Sequence, residues 1–485
     1  MRDLLQSWYS SILFYTKAIF ASPHFFFLFE SLVFGLLFII ITPPLQGPDE
    51  QAHFFQAYEV SEGKIVYNAT DTYPKSLKET YKTIFYNDDI RFAGNNKYEI
   101  GRTKVAFHIP LNQGSREVSD GYMTGTAYPP VTYAGSAVLI LLGRVFSFAP
   151  VLLIYLARVG SLAVWVLLIY LAIRMTPIGK WQFAVVSIIP MAVFQSSIVT
   201  ADSFATAVLI LYLAYILRIY VQKVQINYRQ YLILGLIASM LALSKIVMII
   251  FVPLVLLLVF RQKVKIDDKH RTTYYVYIWL MLIMIAATLV TLGWSLLSGN
   301  LKSGSTLPVG VNPTTQIHNV IFHPTEFIFA LWNTNFYTWS DGVIRSTIGT
   351  FGWSDTPMAL IFMVLGYLSL FVVMIGNRGE DYGVAKKLTH KLPIFFLFLL
   401  GVAYFIGVSL ALFVYYTPVN FNIIVGLQGR YFLPLFILPI VIFLNKDAFI
   451  VNKKFYLLMV KVLPLFLLSI SLLYVFIRYY QNTLI

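Results

Sequence analysis

Apolar runs of about 17–25 residues recur from one end to the other of this 485-residue chain, the length a helix needs to cross a hydrocarbon core of about 30 Å. That repetition leaves few folds open. Inside lipid every backbone N–H and C=O must be satisfied within the protein, so only helices and closed barrels cross. Barrel strands read as short alternating segments, a pattern this sequence lacks. Charged residues make up only 12% of the chain, against about 25% in soluble domains. The predicted fold class is therefore an all-α polytopic membrane protein.

Spans are expected near 24–43, 150–173, 182–199, 203–221, 231–244, 247–260, 274–297, 357–376, 393–414, 430–445 and 455–477, about 11 transmembrane helices. The run Val131–Pro150 is a further apolar segment, and counting it as spanning would invert everything after it. The excess of Lys and Arg on the cytoplasmic side decides between the two layouts. If 131–150 is re-entrant or surface-lying, the basic clusters fall on the side of the N-terminus: Arg174 and Lys180; Arg218, Lys223 and Arg229; 261–271; 378–391; 445–454. The formal charge of +14 is then topological, and no nucleic-acid partner is implied. The N-terminus is placed in the cytoplasm, and the first apolar run, which ends at Pro43-Pro44 without a small-residue cleavage site, is read as an anchor.

This layout gives large first and fourth external loops, 44–150 and 298–356, rich in Tyr and Asn, while the cytoplasmic connections are short. The chain divides into a membrane module at 1–297, the external loop 298–356, and C-terminal helices at 357–485. Long loops with aromatic content point to work on the outer face. The absence of cysteine excludes disulfides, thiolate metal sites and a cysteine nucleophile. No Walker A, G-x-S-x-G or H-E-x-x-H sequence occurs, which speaks against ATP-driven transport and against those hydrolase chemistries.

The polar residues at the membrane boundary carry the functional signal. "GPDEQAHFF" follows the first span and places Asp49 and Glu50 at a helix start, where acids complement the helix dipole. Asp49 and His53 are four apart and share a helix face. That pair suits either a general base or a divalent cation. Asp202 in "TADSFATA" sits at a turn between helices, where a capping role is the alternative. Lys245 interrupts the apolar run "LALSKIVMIIFVPL", and a lysine there is a functional candidate unless it snorkels to the interface. Arg158 and Arg430 lie near the outer ends of their helices. Three such cations suggest an anion among them, and phosphate fits Arg and Lys donors. Asp355 in "GWSDT" reads as a cap before Pro357. "YPPVTY" holds Tyr128 ahead of a diproline that enforces extended backbone.

Taken in order, Pro48-Asp49-Glu50, Tyr128-Pro129-Pro130, Arg158, Asp202, Lys245, "GWSDT" and "GRYFLP" resemble the plan of the GT-C glycosyltransferase superfamily. The similarity is to a bacterial branch of multipass proteins with an early P-D-E-x-x-H-F and a late G-R-Y. The resemblance covers most of the chain. It implies a GT-C-like membrane enzyme of the bacterial plasma membrane that moves a sugar, with inversion, from a polyprenyl-phosphate donor to a cell-envelope glycan or lipid acceptor on the outer face. Membrane lipids are its surroundings. Carried over residue by residue, Asp49 would be the base and Glu50 its neighbour. Arg158, Lys245 and Arg430 would hold the donor phosphate, with His53, Asp202 and Tyr128 in support. A divalent cation at Asp49 and His53 is compatible with this plan but not required, because cations alone can hold a monophosphate leaving group. A lipid-linked glycan flippase and a polysaccharide polymerase or ligase are the alternatives.

Overall fold

The computed structural model describes residues 21–66, 71–85, 96–118, 128–222, 225–260, 269–299, 308–337, 343–376, 391–443 and 452–481. The basic clusters expected at 261–271, 378–391 and 445–454 lie largely outside the described residues. The architecture is an all-α membrane bundle. Among the described residues, six helices are long and apolar enough to cross a membrane: Pro23–Ile41, Pro150–Met175, Ala201–Val221, Tyr275–Ser298, Lys391–Tyr415 and Lys454–Tyr480. Shorter apolar helices cover Pro130–Val145, Tyr228–Ser244, Ile246–Phe260, Leu360–Ile375 and Gly429–Phe443.

Local chemistry explains why several spans are short or broken. The segment expected as one span at 182–199 is two half-helices, Lys180–Ser187 and Pro190–Ser196. Pro190 has no N–H to offer a continuing helix and forces Ile189 into extended backbone, ψ 135°. Both halves are buried in the bundle, where protein rather than lipid surrounds the break. Ile246–Phe260 is a 3₁₀ helix of 15 residues with Pro253 inside it. At a rise of about 2.0 Å per residue, 15 such residues cover about 30 Å, enough for a bilayer core. Tyr212 and Tyr220 donate their hydroxyls to the carbonyls of Val252 and Phe260 and so pin this helix to its neighbour.

Ala201–Val221 is the central element, with 83% of its apolar window inside the protein. Around it pack Pro150–Met175, Tyr228–Ser244 and Ile246–Phe260. One end of the bundle carries a small folded unit. Helices Glu50–Ser61, Lys75–Ile84 and Ile100–Phe107 accompany an antiparallel ladder in which Thr72, Tyr73 and Pro74 face Val118, Glu117 and Arg116. Arg116 closes it with a bidentate bridge to Glu62 at 2.8 and 2.9 Å.

The segment 130–145 belongs to this end of the molecule. It runs beside Glu50–Ser61 from the His53–Tyr133 contact to the hydrogen bond from Arg144 to the Ser61 carbonyl. It also crosses Pro150–Met175 so closely that a Cβ on Gly135 would stand 2.5 Å from the Gly160 carbonyl oxygen.

Candidate functional site

Four charged side chains from distant parts of the sequence converge where the bundle meets the folded unit. Asp49 precedes the helix Glu50–Ser61 in left-handed backbone, φ 58°, ψ 9°, and makes no capping hydrogen bond. Asp202 lies in the first turn of the central helix, capped instead by Thr200. Lys245 is the extended joint between Tyr228–Ser244 and Ile246–Phe260. Arg430 opens the 3₁₀ helix Gly429–Phe436.

Arg430 Nη2 donates to Asp49 Oδ2 at 3.0 Å and to the Tyr431 hydroxyl at 3.1 Å. Its Nε stands 3.8 Å from Asp202 Oδ2 and makes no hydrogen bond. Lys245 Nζ donates to Asp202 Oδ1, and lies 4.7 Å from the centroid of the Tyr431 ring and 5.8 Å from that of Tyr128. The order Asp49, Arg430, Asp202, Lys245 is thus an alternating ladder of two acids and two bases. Asp49 is its open end, half exposed, whereas the Arg430 side chain is only 4% exposed.

Glycine explains how Arg430 reaches this position. A Cβ on Gly429 would meet the Val343 carbonyl oxygen at 2.1 Å and the Thr347 nitrogen at 2.2 Å. The Gly429 N–H instead donates to Ser346 Oγ at 2.6 Å. Only the bare backbone fits this crossing, which fixes the start of the 3₁₀ helix.

His53 is behind the ladder. Its ring stacks on Tyr128 with centroids 5.8 Å apart, and Nδ1 shares a 2.6 Å hydrogen bond with the Tyr133 hydroxyl. Burial lowers its pKa to about 4, outweighing the opposing pull of Asp49 and Asp202. The imidazole is therefore neutral at pH 7. Among the described residues no group of three His, Asp or Glu side chains is placed to hold a metal ion, so the divalent-cation option at Asp49 and His53 has no ligand set built for it.

Glu50 and Arg158 stand apart from the ladder, so Arg158 does not join Lys245 and Arg430 around one anion as expected. Glu50 and Arg158 are both fully buried. Arg158 Nε and Nη2 donate to Glu50 Oε1 and Oε2, each at 2.7 Å. The remaining donors go to the carbonyls of Ile39, Thr42 and Pro43. No Arg158 donor is left for a phosphate. Glu50 in turn accepts from the Gly47 N–H at 3.0 Å and the Val199 N–H at 3.2 Å. This carboxylate ties the turn that carries Asp49 to the loop that leads into Asp202. Both of its oxygens are thus occupied by the Arg158 guanidinium and by backbone N–H groups.

Beside Lys245 opens a cavity of about 260 Å³. Its wall is mostly apolar, with Val247, Trp294, Val408 and Leu412 from the spans and with Tyr128, Tyr404 and Tyr431 at the charged end. Asp49 does not line it but connects to it through Arg430 and Tyr431. The "GWSDT" segment is elsewhere. Asp355 lies in the turn of a short hairpin, Thr350–Phe351 with Thr356–Pro357, where it pairs with Arg478 of the last helix at 2.7 Å, and is not the cap expected before Pro357.

Sequence reasoning missed Tyr133, Tyr431 and the backbone N–H of Val199. Tyr431 had a signal, since an aromatic next to an arginine at the membrane boundary can stack on a nearby ammonium. Comparison with curated proteins and with solved structures gave no match. Residues 32–439 match the family described as Predicted membrane protein (DUF2142). The chain belongs to that family.

Proposed function

We propose that this protein is a glycosyltransferase that uses a polyprenyl-phosphate sugar at the outer face of a bacterial plasma membrane, with the N-terminus in the cytoplasm. The carrying observation is the apolar cavity that ends on Lys245, with the Asp202–Arg430–Asp49 ladder directly beyond it. A polyprenyl phosphate has the same polarity profile. Its chain suits the wall of Val247, Trp294, Val408 and Leu412, and its phosphate suits a lysine flanked by two tyrosine rings.

The ladder is electrically balanced, so an incoming phosphate must exchange with a carboxylate. Lys245 turns from Asp202 to the phosphate, and Arg430 shifts toward the leaving oxygen. Asp49 then loses its cationic partner at the half-exposed end, where an acceptor hydroxyl arrives. Asp49 takes the hydroxyl proton, the hydroxyl oxygen forms a bond to the anomeric carbon, and the bond from that carbon to the phosphate oxygen breaks. The polyprenyl phosphate leaves with the electron pair, and single displacement inverts the centre. Fixed cations in a poorly solvated cleft stabilise the developing charge.

Purified protein in vesicles, given a panel of polyprenyl-phosphate sugars and envelope glycan or lipid acceptors, tests this reading. Release of free polyprenyl phosphate together with a glycosylated acceptor supports it. Intact donor appearing in the opposite leaflet without cleavage would assign a flippase instead.

A further inference from the structure

Residues 313–337 fold as two helices, Pro313–Phe322 and Pro324–Phe336, joined at His323. At 1.5 Å per residue they are about 15 and 20 Å long, too short to cross a bilayer. Their seating on the bundle fixes their height. Gln316 Nε2 donates to the carbonyls of Thr417 and Pro418. Phe327 packs edge-on against Phe413, with centroids 5.3 Å apart. Asn333 Nδ2 donates to the Asn422 carbonyl, and Thr334 Oγ1 accepts from the Ile424 N–H. These partners are the last turn of the span Lys391–Tyr415 and the chain just after it.

Gln316, Asn333 and Thr334 point inward to these contacts, with Phe327 and Ala330 buried beside them, while a row of large apolar side chains points away from the protein, with His318, His323 and Glu326 exposed as well. Ile321, Phe322, Ile328, Phe329, Trp332 and Phe336 are each between 55% and 65% exposed. A face this apolar is not left to water on a soluble surface. Between 313 and 337 there is no Lys or Arg, and Glu326 is the sole acid. The adjoining span also exposes Phe395, Phe398, Val402 and Ile406, and Tyr415 and Tyr416, at the end on which the pair rests, are about half exposed. Tryptophan and tyrosine at such a level are the mark of a membrane interface.

We infer that 313–337 is an interfacial helical hairpin, embedded with this face in the acyl–headgroup boundary of the leaflet onto which the site opens. It does not depend on the glycosyltransferase reading. Its position gives it a place in the site's architecture, because Phe413, on which it rests, adjoins Leu412 in the cavity wall.

Because the chain has no cysteine, single cysteines can be spin-labelled without background. Nitroxides at Ile321 and Phe329, and at Thr314 as an aqueous control, are to be read by power saturation. The full-length protein is placed in phosphatidylethanolamine–phosphatidylglycerol vesicles, with oxygen as the apolar relaxer and a neutral nickel chelate as the aqueous one. The inference predicts high oxygen and low nickel access at 321 and 329, at a depth of about 5–10 Å, and the reverse at 314. Nickel access at 321 and 329 would overturn it. Shielding from both relaxers would also overturn it, assigning the face to a second copy of the chain. Phe336→Cys reads the same face if either label position disturbs the fold.

Discussion

Glu50 and Arg158 face each other as a fully buried, bidentate pair, with both oxygens at 2.7 Å from guanidinium nitrogens. The pair clamps the end of the first span to the loop before the central helix, so the positions of Asp49 and Asp202 depend on it. Removing one partner strands a buried charge, which costs about 3–5 kcal/mol. Arg158→Leu and Glu50→Gln should each lower the melting temperature in detergent. The double change Glu50→Gln with Arg158→Leu should recover part of that loss. Purely additive losses would show that the two residues do not act as a pair.

Gly429→Ala tests the crossing that delivers Arg430. The added methyl has backbone at 2.1 and 2.2 Å, so the 3₁₀ helix must move. Overpacking of this kind costs about 1–3 kcal/mol. Thermal unfolding should show that loss, and transfer activity should fall further because the Arg430 guanidinium is carried away from its place beside Asp202 and the leaving phosphate. Unchanged activity would mean that the placement of Arg430 is not critical.

Lys245→Ala should weaken retention of polyprenyl phosphate at least tenfold, read by native mass spectrometry from nanodiscs. The change also leaves Asp202 with Arg430 alone, so Lys245→Met with Asp202→Asn serves as the folded control. Retention equal to the wild type in both variants would remove the phosphate from this cavity.

Acidification should act through His53. Its folded pKa is near 4, depressed by burial below the ordinary 6.5. The neutral ring therefore contributes stability that is present above about pH 6.5 and lost as pH falls through 4. The shift corresponds to about 3 kcal/mol. Melting temperature against pH should drop across that window in the wild type and less steeply in His53→Gln. Parallel curves would show that another group carries the acid sensitivity.

Much of this was legible in the sequence, for a physical reason. Asp49, Asp202, Lys245 and Arg430 stood out because charge beside hydrocarbon is costly, and the structure brings those four together. The same argument drew attention to Glu50 and Arg158 but misread their roles. Local spacing does not show that two oppositely charged residues 108 positions apart satisfy one another. That Arg158 lies within an apolar span was a hint that it needs a buried acid as partner. The break at Ile189 was visible in Pro190, yet the length of the apolar run favoured a single helix. The 3₁₀ form of Ile246–Phe260 had no local signal, because it is set by tyrosines from a neighbouring helix.

The most direct measurement of the central claim compares sugar transfer by wild type and Asp49→Asn at equal folded concentration. Asparagine tolerates the left-handed backbone at this position and differs from aspartate in charge, so geometry is kept while the base is lost. The account predicts a fall of at least about 10²-fold, with polyprenyl-phosphate binding retained. Transfer by Asp49→Asn at the wild-type rate would contradict it, and would leave Asp49 as a partner of Arg430 with no part in the chemistry.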